Sequence, residues 1–219
     1  MHATEFVGAI DGQDVPPVVV LVGAEGLLVR QSAAAIARAV LGEQSEEDLS
    51  RRNGDDNTWR DIHDELATVS MFAERRVVLV DDAEQFIKQN RSTLEEYVAA
   101  PVKKSVLILQ PKSFPGNTRL AKAVKTSGAV VECTALEGAA LLRWLGGVAG
   151  EQHAIELTRD AASLLVELVG SNLSQLESEL AKLASCSPAG RIDVEMVRSL
   201  VGGWQVQSTF DMLAALRQG

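Results

Sequence analysis

Two short stretches hold residue types that could handle phosphate and metal. In "VVVLVGAEGLLVRQS" an apolar run is followed at once by Gly23 and then by a helical pattern, the arrangement in which backbone N–H groups cradle phosphates. In "VVLVDD" an apolar run ends in Asp81 and Asp82, where a strand can present carboxylates to Mg²⁺. Together they would form the two halves of a nucleotide site, but the first half fails on its residues. A loop of the G-x-x-x-x-G-K-[ST] type needs a second glycine for close approach, a lysine for charge and a hydroxyl for the metal. Counted from Gly23, those positions hold Leu28, Val29 and Arg30. Backbone geometry, charge neutralisation and metal ligation are lost together, which argues against nucleotide binding of the usual kind. Asp81 and Asp82 are then expected to cap a helix or to be solvated. A structural relic or an ion site is the alternative.

Other reactive groups give no constellation. His2, His63 and His153 have no metal-ligand spacing with one another or with the cysteines, and there is no G-x-S-x-G elbow. Cys133 and Cys186 lie far apart in sequence; a disulfide is possible but not suggested, and a reducing cytoplasm is the default. No catalytic, cofactor-binding or metal-binding residue is assigned.

The remaining candidates are binding residues. Met71 and Phe72 form an apolar pair flanked by Ser70, Glu74, Arg75 and Arg76. They fall between a helical pattern and a strand pattern, where connections run over the surface. An exposed apolar pair with a polar rim has the anatomy of a docking anchor; the alternative is that the pair folds back to cap the core. Lys103, Lys104, Lys112, Arg119, Lys122 and Lys125 concentrate positive charge in an otherwise acidic chain. They read either as a local face toward DNA or acidic partner subunits, or as an ordinary solvated surface.

The elements that must position these residues change character near residue 138. Before it, short apolar runs at 18–22, 77–80, 106–109 and 129–133, with a weaker one near 48–52, read as strands buried on both faces. Helical patterns lie between them: Trp59, Ile62, Leu66 and Val69 share one face, as do Val29, Ala33, Ile36 and Val40. This alternation predicts a parallel sheet covered on both sides. After residue 138 the strands are expected to stop. Leu141, Leu145 and Val148 mark one helix, with Trp144 expected in the core. Ala161, Leu164, Leu165 and Leu168 mark another, with Thr158 as N-cap and Gly170 in a left-handed C-cap position. A third carries Leu173, Leu176, Leu180 and Leu183, opened by an Asn172–Gln175 pair resembling a capping box. Asp193 opens a fourth. "STFDMLAALRQG" begins a further helix, with Phe210 expected in its core, and the full protein is expected to continue beyond it.

Composition sets the outer bounds. With 219 residues, 46% hydrophobic and 23% charged, the chain reads as a globular protein of one large or two smaller domains. No apolar run approaches the ~18 residues of a membrane helix, and no signal peptide is visible. Asp and Glu exceed Lys and Arg by 30 to 21, a net charge of −9, so any DNA contact must be local or shared with partners.

A nucleotide-binding-type α/β domain with a lost phosphate loop, followed by a small helical domain, resembles the AAA+ architecture in a member that does not hydrolyse ATP. The order of motifs resembles the delta subunits of bacterial DNA polymerase III, the clamp-loader wrench. Five pieces carry the likeness: "VVVLVGAEGLLVRQSAAAI", "MFAERRVVLVDD", "EEYVAAPVKKSVLILQPKS", "TRLAKAVKTSGAVVECTAL" and "GSNLSQLESELAKLA". The resemblance implies an AAA+-like five-stranded parallel sheet domain over 1–138 without a working phosphate loop, a small all-helical lid over 139–204 and the start of a collar domain over 205–219. It implies no cofactor and no catalysis by the subunit itself, within a DNA-directed DNA polymerase (nucleotidyltransferase) holoenzyme of the cytoplasm. It also implies that Met71 and Phe72 enter a pocket on the beta sliding clamp; the family more often has Leu at the first position. Further implied partners are the gamma/tau and delta-prime subunits and primed DNA, with no membrane. The competing readings are an AAA+ ATPase, an inactive AAA+ adaptor of another pathway, and delta-prime, whose cysteine cluster and Ser-Arg-Cys motif are not found here.

Overall fold

The computed structural model describes residues 1–10, 15–42, 49–68, 75–187 and 190–202. Its contacts divide the chain into two compact units, Met1–Ala135 and Leu136–Gly219.

The first unit is built on valine-rich strands, as β-branched residues favour. β1 (Val18–Val22), β2 (Leu49–Asn53), β3 (Arg76–Asp81), β4 (Ser105–Leu109) and β5 (Ala129–Glu132) form one sheet in the order β2-β3-β4-β1-β5. Every pairing is parallel. The helices are α1 (Ala3–Ala9), α2 (Gly26–Leu41), α3 (Trp59–Ala67), α4 (Glu84–Gln89), α5 (Arg91–Ala99) and α6 (Arg119–Ser127). Alternate strand residues serve opposite faces. Val18, Val20, Val78, Val80, Leu107 and Leu109 pack in one core with Ile62 and Leu66 of α3, Phe86 of α4, Leu94 and Tyr97 of α5, and Leu120 and Val124 of α6. Their neighbours Val19, Leu21, Val77, Leu79, Val106 and Ile108 are equally buried on the other face, which α2 covers with Val29, Ala33, Ile36 and Val40 inward. The expectation of short apolar strands covered on both sides is met, and the weak signal near 48–52 is the edge strand β2.

α3 is fixed at its start. Thr58 and Asp61 form a full capping box, Thr58 Oγ1 accepting from the Asp61 N–H at 3.3 Å and Asp61 Oδ2 accepting from the Thr58 N–H at 2.9 Å. Its Trp59 ring meets Tyr97 edge-on at 5.2 Å and Phe86 at 6.3 Å, seating the helix on α4 and α5. The helix ends at Ala67, and Val69 of the expected stripe lies outside the described residues.

The second unit holds α7 (Gly138–His153), α8 (Arg159–Val169), α9 (Leu173–Ser185) and α10 (Val194–Val197), the last running into a π turn at Arg198–Gly202. Leu141, Trp144, Leu145 and Val148 are buried on α7, as are Leu173, Leu176, Leu180 and Leu183 on α9. Thr158 caps α8 through its hydroxyl, and Asn172 Oδ1 accepts from the Gln175 N–H at 3.0 Å. Gly170 has φ 88° and ψ −167°. That is a positive-φ conformation open to glycine, but not the left-handed helical one expected. The all-helical expectation needs one correction. β6 (Glu156–Leu157) and β7 (Arg191–Ile192) form a parallel two-residue ladder, extended by bonds from Glu156 N to Gly190 O and from Thr158 N to Ile192 O. Two residues are too few to print a period in the sequence. Phe210 and the 205–219 segment lie outside the described residues.

Candidate functional site

At the carboxyl edge of the sheet, the place of the phosphate cradle is filled by the chain itself. Three residues, Gly23, Ala24 and Glu25, join β1 to α2. Gly23 has φ 142°, and a Cβ built on it would stand 2.0 Å from the Cys133 carbonyl oxygen. Its glycine therefore serves the close passage of the chain beyond β5 rather than a phosphate. The Glu25 N–H donates to that same carbonyl at 3.1 Å. The Glu25 carboxylate caps α2, accepting from the Leu27 N–H at 3.3 Å. A negative charge of the protein thus occupies the helix end that would otherwise attract an anion. Leu28 and Val29, at the expected second-glycine and lysine positions, are buried in the core. Burial pushes the neighbouring Cys133 thiol up to about 11, so it holds its proton at neutral pH.

Of the expectation that the two aspartates cap a helix or are solvated, the capping half fails for both, while Asp82 is exposed and Asp81 partly buried. The N-cap of α4 is Ala83, with no side-chain bond. Asp81 ends β3, its carbonyl accepting from the Gly54 N–H at 2.8 Å and its carboxylate standing 3.8 Å from Arg51 Nη1. Burial raises its pKa above the usual value; Arg51 opposes that rise and Asp82 adds to it. Asp82 adopts a left-handed φ of 48°, its N–H donating to Gln110 Oε1 at 3.2 Å. Its half-exposed carboxylate lies 3.9 Å from Lys112 Nζ. The cause is local: the chain turns sharply after β3, and the helix begins one residue too late for either carboxylate to reach its free N–H groups.

Met71 and Phe72 lie outside the described residues. Both roots of their connection are described, at the amino edge of the sheet. Glu65 Oε2 accepts from Arg52 Nε on β2 at 2.8 Å, and Glu65 Oε1 stands 3.6 Å from Arg76 Nη1 at the start of β3. The Glu65 side chain is only 13% exposed. Burial acts to raise its pKa, but hydrogen bonds from Arg52 and Ser50 and the charges of Arg52 and Arg76 outweigh this and leave the value lowered. One residue on, the buried Ser105 Oγ donates to the Leu66 carbonyl at 2.7 Å. The Arg76 N–H donates to the Lys104 carbonyl at 3.0 Å. The last turn of α3 and the first residue of β3 are thus tied to each other and to β4. Charge pattern missed this network, because nothing in a one-dimensional reading pairs position 65 with positions 52 and 76.

The six cationic residues are all exposed but do not gather at one place. Lys103 and Lys104 precede β4, Lys112 follows it, and Arg119, Lys122 and Lys125 run along α6. Lys112 pairs with Asp82, and Arg119 with Glu95 at 3.7 Å.

The family model for DNA polymerase III, delta subunit, matches residues 20–134, more than half of the chain. The chain belongs to the DNA polymerase III delta subunit family. No curated protein matches it. Among solved structures, this delta-family chain is similar to the Bacillus subtilis DNA clamp loader delta protein (YqeN), with a TM-score of 0.73 and 24% identity over 91% of this chain and 61% of that one. The chain therefore spans about three-fifths of that relative. It is also similar to the Thermotoga maritima RuvB Holliday junction branch migration motor, with a TM-score of 0.49 and 12% identity over 90% of this chain and 65% of that one. The likeness to the delta protein is one of fold, and it agrees with the expected AAA+-like parallel sheet followed by helices. In this delta-family chain the matched span contains both ends of the 69–74 connection and the closed β1–α2 junction. Among the described residues no helix is long and apolar enough to cross a membrane.

Proposed function

We propose that this chain is the clamp-binding subunit of a DNA polymerase III clamp loader. It engages the beta sliding clamp through Met71 and Phe72 and favours the clamp's open form, without hydrolysing ATP itself. The gamma/tau and delta-prime subunits supply the ATP-driven motion, and primed DNA is the destination of the clamp. A lid over 139–204, a collar from 205 onward and a cytoplasmic setting belong to the same proposal, as does the assignment of Lys103, Lys104, Lys112, Arg119, Lys122 and Lys125 to contacts with either DNA or an acidic protein partner.

The observation that carries the reading is the tied pair of roots on either side of the Met71–Phe72 connection, within the span that matches the delta family. Holding both ends of a binding segment lowers the conformational entropy lost on docking. Burying one Met and one Phe is worth roughly 1.5–3 kcal/mol each, enough for a hot spot. It is also enough to bias a two-state partner, if the pocket fits better in one of its states.

The direct test is a pull-down with purified sliding clamp. Phe72→Ala and Met71→Asp are expected to lose clamp binding while keeping the wild-type melting temperature. Retention of wild-type affinity in the double variant would remove the proposed anchor.

A further inference from the structure

Lys103 and Lys104 sit at the amino ends of β3 and β4, across β4 from Lys112. Lys104 has a left-handed φ of 70°, uncommon for a residue that carries a Cβ. Its carbonyl is held by the Arg76 N–H at 3.0 Å, and β3 and β4 pair Arg76 opposite Ser105. Such backbone persists where the surroundings impose it, and here the ladder and the Arg76 bond do so. Both lysine side chains are exposed, and neither ammonium group has a partner among the described residues. In a chain of net charge −9, the turn presents two exposed positive charges that no described residue pairs. It does so at the edge where Arg75 and Arg76 bring the chain into β3. Lys112 lies beyond the far end of the five-residue strand β4, about 17 Å away at ~3.3 Å per residue. That is roughly twice the ~8 Å Debye length at physiological salt, so this lysine pair and Lys112 act as separate charges.

We propose that the Lys103–Lys104 turn is an electrostatic docking element for an acidic protein surface on the same ring-shaped clamp that Met71 and Phe72 are read to engage, and not part of a nucleic-acid face. The inference rests on the clamp-binding reading. Uncompensated charges at the edge of an interface speed encounter more than they slow release.

The test measures association kinetics of the immobilised chain with purified sliding clamp, at about 50 mM and about 500 mM salt, between which screening removes most of a rim-charge effect. Combined Lys103→Glu and Lys104→Glu are expected to lower the association rate constant about tenfold at low salt and less than about twofold at high salt, with dissociation little changed. Lys104→Gly relieves the left-handed backbone while removing one charge. It is expected to melt at or above the wild-type temperature and still associate about threefold more slowly. An unchanged low-salt association rate overturns the proposal. So does an equal loss at both salts, or loss of binding to a primed-DNA oligonucleotide with clamp association intact. If the wild-type chain does not bind the clamp, this inference and the clamp reading fall together. If Phe72→Ala loses binding while the lysine variants associate at the wild-type rate, this inference falls alone.

Discussion

Glu65 is the residue on which the amino edge turns. Its carboxylate is largely buried yet ionises more readily than usual, because two guanidinium groups and Ser50 favour the charged form more than burial opposes it. The linkage has a definite sign. With its folded pKa held below that of a free glutamate, Glu65 contributes stability above the ordinary carboxylate value, and the contribution is lost as pH falls through the folded one. Urea unfolding of the wild type and Glu65→Gln should therefore show the largest gap near neutral pH and a shrinking gap under acid. A gap that does not depend on pH would mean that shape, not charge, carries the effect. Asp81 works in the opposite direction: its raised pKa makes its ionised form a cost to the fold, partly offset by Arg51.

Among the elements, the β1–α2 junction decides what the carboxyl edge can do. A helix N-terminus behind a strand is a ready anion site, but here Glu25 caps it from within the chain and Gly23 is spent on the approach of Cys133. Adding ATP with Mg²⁺ is expected to leave the melting temperature unchanged. A ligand present at 100 times its dissociation constant would stabilise the native state by about 2.7 kcal/mol, which is several degrees for a domain of this size. A shift of that order would restore the ATPase reading. The other junction, between α3 and β3, shows why element boundaries were less legible than elements. The 3.6-residue stripe of Trp59, Ile62 and Leu66 announced the helix, but nothing periodic announced its end at Ala67. There Thr68 Oγ1 turns back to the Asp64 carbonyl at 2.6 Å, and Ser105 from β4 reaches the Leu66 carbonyl.

At the scale of the whole molecule, the first unit holds a core on each face of its sheet, filled by residues from within Met1–Ala135. Residues 1–135 expressed alone are therefore expected to unfold in one cooperative transition, with thermal melting followed by circular dichroism as the measurement. A broad, non-cooperative melt would show that the unit needs the rest of the chain.

The five strands, the two covering helices α2 and α3 and the change to a mostly helical unit were determined by the sequence alone, because burial imposes a period on residues that are neighbours along the chain. The mismatch of Leu28, Val29 and Arg30 with a phosphate loop was equally plain, since a motif of that kind is local. Only the tertiary structure decided that Glu65 joins Arg52 to Arg76, that Gly23 closes against the Cys133 carbonyl, and that the Arg76 N–H holds the Lys104 carbonyl. Those facts depend on which strands lie side by side and which ends they share, and parallel pairing brings together residues whose separation along the chain carries no period.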